Sequence, residues 1–190
     1  MSEHGFHVHG PHDHEVEHAA HSGDRFSARI AVTTAILATI GALFGYMVGA
    51  TQNDALLFKN DSAIRRTEAS DQWNFYQAKS SKQNLAELGA TLASGDASAR
   101  FKAEAARYDK EKQEIMAQAQ KLEKRSEELE AKSEASMHVH HRWAQGMTLV
   151  QIAIALAAIT LLTRSRSLQF VSYAAGAGAV VIGILASLHL

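Results

Sequence analysis

The sequence predicts an all-α membrane protein: three transmembrane helices plus a long antiparallel extramembrane helical hairpin of coiled-coil character. Three observations carry this expectation. Residues 30–50, 143–163 and 168–190 contain no Asp, Glu, Lys or Arg, whereas residues 51–142 hold fifteen acidic and fifteen basic side chains. A hydrocarbon core about 30 Å thick needs roughly 20 predominantly apolar residues in a helix, and each charge-free stretch has that length. The sole proline, Pro11, lies near the N-terminus, and strong helix formers dominate the charged segment. A buried helix of a water-soluble domain does not account for "IAVTTAILATIGALFGYMVGA" or "LQFVSYAAGAGAVVIGILASLHL", because neither carries a solvated face.

Residues 1–25 read as a disordered polar tail without hydrophobic periodicity. Seven of the eleven histidines fall within residues 4–21. The pairs His7/His9 and His12/His14 can chelate from an extended chain, and His14, His18 and His21 would share a face if the segment became helical. Imidazole suits Zn, Ni and Cu. Ordering a free tail costs about 1–2 kcal/mol per residue. The expectation is therefore adventitious or buffering affinity for a divalent transition metal, and no other cofactor is implied.

The first span covers 26–50, flanked by Arg25 and Arg29. Val48-Gly49-Ala50 resembles a small-residue cleavage site. The polar segment ahead of it is long and more acidic than basic, so the span is expected to stay as an anchor. Gly41, Gly45 and Gly49 form a doubled GxxxG that clears one face for close helix contact.

Residues 51–142 make the hairpin. No Pro or Gly occurs between Ala50 and Gly89, and "GATLASGDAS" supplies turn chemistry near 89–97. The shorter arm, Thr51 to Leu88, would project about 55 Å. In the second arm Phe101, Tyr108, Ile115, Leu122, Leu129, Ser136 and Trp143 recur every seven residues, beside a small, polar row that includes Ala105, Ala119, Ser126 and Ser133. That pattern predicts a narrow seam against one partner helix. Trp73 and Tyr76 share a face while Phe75 points elsewhere, so this aromatic group is a candidate interaction surface for a subunit or protein partner.

The segments that carry a resemblance are "NDALL" (53–57), "DQWNFYQAK" (71–79), the histidine cluster after the charged helix, and "LVQIAIALAAITLLTRSR" (149–166). Together they resemble the bacterial membrane proteins of domain-of-unknown-function family 4337, over nearly everything from residue 26 onward. Phe75 stands where many members carry Tyr, and Asn74 is a variable position. The resemblance implies the fold and a bacterial membrane location. It brings no activity and no catalytic residues.

His138, His140 and His141 precede Trp143 where the second span, 143–163, begins. An interfacial belt is the ordinary reading. His138 and His141, three apart on one face, are the alternative metal or pH-sensing pair if subunits bring them together. Polar groups at membrane depth are Thr33, Thr34, Thr39, Gln151, Thr160 and Ser172. Gln151 is the strongest hydrogen-bonding group among them, a candidate for an interhelix bond or a pore lining.

The loop 164–167, "RSRS", separates the second span from the third, 168–190. Ala175, Ala179, Gly183 and Ser187 repeat the small-residue spacing there. Basic short loops stay cytoplasmic, so this loop and Arg25/Arg29 orient the N-terminus inward and the hairpin toward the periplasm.

Mixed charge and a net of −1 leave no basic stripe for nucleic acid. The chain has no cysteine, hence no disulfide framework. It shows no nucleophile–base pair, phosphate loop or paired carboxylates, so an enzyme is not expected. The reading is a homo-oligomeric inner-membrane scaffold, in contact with lipid, whose hairpin offers a surface to an unidentified protein partner. A small oligomeric channel or metal-responsive conduit is the alternative.

Overall fold

A computed structural model describes residues 24–188. The described residues form three helices and no strand: α1 (Arg25–Leu92), α2 (Asp96–Thr163) and α3 (Arg166–Ser187). Each contains a stretch long and apolar enough to cross a membrane. The histidines of the tail, His7, His9, His12, His14, His18 and His21, lie outside the described residues.

Local chemistry sets each helix end. Asp24 caps α1, accepting the Phe26 N–H at 3.0 Å and the Ser27 hydroxyl at 2.8 Å. Helix therefore begins at Arg25, one residue into the stretch expected to be tail. Three residues separate the end of α1 from Asp96, and in this break Gly95 has φ +60. That left-handed conformation favours glycine. The Ser98 hydroxyl reaches back to the Ala90 carbonyl at 2.8 Å, and a side chain on Gly89 would meet the Phe101 ring at 2.9 Å.

The link from α2 to α3 is only Arg164 and Ser165, shorter than the basic stretch 164–167. Arg164 takes φ 51, a left-handed helix end in a non-glycine residue, while its N–H still bonds the Thr160 carbonyl. With the chain already turned at that point, Arg166 and Ser167 join α3.

The chain divides into two units, one comprising Met1–Gln52 with Met137–Leu190 and the other Asn53–Ser136. In the first, large side chains of α1 enter spaces left by small residues of α2 and α3. Phe44 lies edge-on to Trp143 at 5.1 Å, and a side chain on Gly146 would meet its ring at 2.9 Å. Gly183 abuts the other end of that ring. One heptad earlier, Leu37 occupies the room left by Gly176. Val150, Ala153 and Ala179 complete this core, and the Ser172 hydroxyl bonds the Ala153 carbonyl at 2.7 Å.

In the second unit the contacts step in opposite directions along the two helical stretches. Ser133 bonds the Ala55 carbonyl, Ser62 and Ser126 exchange hydroxyl-to-carbonyl bonds at 2.9 and 3.0 Å, and Lys79 pairs with Glu111. The centre of this seam is the small row. Ala105, Ala119, Ser126 and Ser133 of α2 are buried, as are Ala55, Ser62, Ala69 and Ala86 of α1. The large row is divided: Leu129 is buried, Tyr108, Ile115 and Leu122 are half-buried, and Phe101, nearest the turn, is 37% exposed. Small side chains at the centre let the backbones approach closely enough for each serine to reach the opposite main chain.

Candidate interaction surfaces

The glycine and alanine faces are largely occupied within the chain. A side chain at Gly41 would meet Val150 at 3.2 Å, and one at Gly45 would meet Met147 at 3.6 Å, whereas nothing lies within 4 Å of Gly49. On α3, Ala179 and Gly183 are buried, Ala175 is half-buried and Ser187 is exposed. The buried line is Ser172, Gly176, Ala179, Gly183 and Ala186. It runs obliquely to the four residues read from the sequence and shares only two with them.

Exposed polar residues of the first unit gather on one side of α2. His138, His141, Gln145, Thr148 and Gln151 recur at intervals of three or four, and all are exposed. Thr148 satisfies its hydroxyl on the Ala144 carbonyl at 2.9 Å. The side chains of Gln145 and Gln151 bond no described residue. Gln169, by contrast, donates to the Tyr173 hydroxyl at 2.9 Å. His140 is held apart from this row, its Nδ1 lying 3.0 Å from the Val48 carbonyl. Among the described residues no group of three or more metal-ligating side chains comes together, at His138 and His141 or elsewhere.

The aromatic group of the second unit separates. Trp73 and Tyr76 are half-buried and in edge contact at 5.5 Å. The Trp73 indole donates to Glu123 at 2.8 Å, and the Lys112 ammonium lies 5.6 Å from the centre of the Tyr76 ring. Both rings are engaged inside the pair. Phe75 is 58% exposed, and further along α1 Leu85, Leu88 and Leu92 are exposed as well.

Ion pairs flank the small seam. A hydrogen bond from Lys79 holds the Glu111 carboxyl below the usual glutamate range, and Lys59 does the same for Glu130, aided by Ser62. In the first unit, Asp24 is lowered chiefly by its bond from Ser27, then by the Phe26 N–H and by Arg164, whose guanidinium lies 2.8 Å away. That pair ties the start of α1 to the link between α2 and α3. A groove of about 340 Å³ lined by Thr33, Leu37, Ser172, Tyr173 and Gly176 opens nearby in the same unit.

The family model described as "Domain of unknown function (DUF4337)" matches residues 26–189. No curated protein and no solved structure matches the chain.

Proposed function

The chain belongs to the DUF4337 family, and from that premise we propose an integral protein of the bacterial inner membrane that assembles with copies of itself as a scaffold. It crosses the bilayer three times, with the N-terminus cytoplasmic. The paired helices of residues 51–142 stand in the periplasm as a hairpin and offer an exposed surface around Phe75 to a protein partner.

One observation carries this reading. The most apolar windows of α1, α2 and α3 have mean hydropathies of 1.8, 2.0 and 1.8, yet only 17%, 28% and 28% of their residues are buried within the chain. Val32, Ile36, Leu43, Phe170 and Val181 all face outward. Water does not tolerate a contiguous apolar surface of that kind, and lipid or further protein must cover it.

The test uses the absence of native cysteine. Ser70→Cys and Ser167→Cys, each in the full chain, are expected in the membrane fraction after a carbonate wash. An impermeant thiol reagent should label position 70 from the periplasmic side and position 167 only after permeabilisation. Reversed labelling overturns the orientation, and recovery in the soluble fraction overturns the membrane reading itself.

The exposed Gln151 supports a second reading, a conduit lined by α2. Ion flux through proteoliposomes that disappears in Gln151→Leu would favour it over the scaffold. A metal-responsive form of either reading rests on the tail histidines and on His138 and His141, and zinc titration of the intact assembly tests it.

A further inference from the structure

The polar row on α2 lies where its chemistry is least at home. Trp143, buried against Phe44, marks the start of the apolar stretch, and Gln151 lies about 12 Å further along the axis. In a hydrocarbon core about 30 Å thick, that is close to mid-depth. Threonines at such depth bond their own backbone, as Thr33 does to Arg29 and Thr39 to Ala35. Gln145 and Gln151 have no such bond, although both are exposed.

We propose that the row His141, Gln145, Thr148, Gln151 and Ala155 of α2 is the seam through which two copies of this chain pack against each other in the membrane. The proposal rests on the membrane reading above and deepens it by naming the contact and its occupant.

Three features select a second copy. A glutamine amide carries both donors and an acceptor, so the same residue from two chains is self-complementary across a two-fold axis. The row recurs every three or four residues from His138 to Ala155, which is the spacing of a helix–helix seam. Beyond Gln151 the row continues into Ala155 and Ala158, both exposed, and small residues there let backbones close up. The outward surfaces of α1 and α3 present Ile36, Leu43, Val180 and Val181, and α2 exposes Ile152, Ile159 and Leu162 beside the row, all side chains that lipid already satisfies, so the glutamines are what require a partner.

The test again uses single cysteines in the full chain. Under mild oxidation in native membranes, Thr148→Cys and Ala155→Cys should give disulfide-linked dimers, while Ile36→Cys on α1 and Val181→Cys on α3 should not. The double variant Gln145→Leu/Gln151→Leu, which keeps the helix and suits lipid better, should raise the dissociation constant of the intact assembly about tenfold in a detergent dilution series. An assembly that cross-links at position 36 or 181, or that associates undiminished without the glutamines, overturns the seam and leaves the oligomer standing. A mass of one chain at every concentration overturns both.

Discussion

Replacing Gly183 with alanine asks whether the small-residue face of α3 serves packing within the chain. The Cβ would lie far inside contact distance of the Phe44 ring tip, and Trp143 and Gly146 already pack against that ring on other sides. Overpacking of that kind costs about 1–3 kcal/mol. Against it stands a helix-propensity gain of up to about 1 kcal/mol for Gly→Ala. The net expectation is a loss of about 0–2 kcal/mol. Gly178→Ala is the matched control: the same propensity gain applies, and nothing lies within 4 Å of its Cβ. The two variants should therefore differ by about 1–3 kcal/mol, the overpacking alone. Unfolding in mixed micelles reads this difference through Trp143 fluorescence in a Trp73→Phe background. Phe44→Leu should shorten the gap by withdrawing the ring. Equal stability of the two alanine variants, or no relief from Phe44→Leu, would refute the packing assigned to Gly183.

In the second unit, Ser126→Leu should cost about 1–3 kcal/mol by forcing apart a seam whose centre is a buried serine pair. Ser126→Ala should cost only about 0.5 kcal/mol, since one net hydrogen bond is lost and some helix propensity is regained. Thermal unfolding followed by helicity ranks them, and a leucine as benign as alanine would argue against the seam. For Glu111 and Glu130, whose folded values are lowered by Lys79 and Lys59, the stabilising contribution is complete above the ordinary glutamate range near 4.3 and is lost as pH falls below it toward the folded values. Unfolding measured from pH 6 downward should show a weaker decline in Glu111→Gln/Glu130→Gln than in the unaltered chain. Asp24→Ala removes the cap of α1 and its tie to Arg164. Faster amide exchange at Phe26 and Ser27 is expected, with exchange in residues 53–136 unchanged.

The all-helical class and the family were legible because they depend on properties that need no partner: charge segregation, helix propensity and a few specific segments. The seam of the second unit was half legible. Its α2 side shows a heptad row of large residues, of which Leu129 is buried while Phe101, Tyr108 and Leu122 are not, and the structure buries instead most of the neighbouring row, Ala105, Ala119, Ser126 and Ser133. The α1 side, Ala55, Ser62 and Ala69, is also spaced by seven and escaped notice. Alanine and serine give almost no hydrophobic contrast, so a seam built from them lacks the periodic signal that leucine would supply. Trp73 and Phe75 illustrate the same limit. Periodicity separates them onto different sides, but only the position of Glu123 shows which side is inward.

Small residues do not by themselves announce a contact between subunits. Gly41, Gly45 and Gly183 satisfy the spacing that brings helices together between chains, and each receives a side chain of its own chain: Val150, Met147 and Phe44. A glycine face says that something approaches closely and is silent on what. A polar side chain at membrane depth is more informative, because its requirement is chemical: a donor and an acceptor that lipid cannot supply. Ser172 meets that requirement at the Ala153 carbonyl and Gln169 at Tyr173, so intrachain solutions are within reach of this fold. Gln151 points away from all of them. Its position, more than the glycine spacing, is the ground for expecting a second copy beside α2.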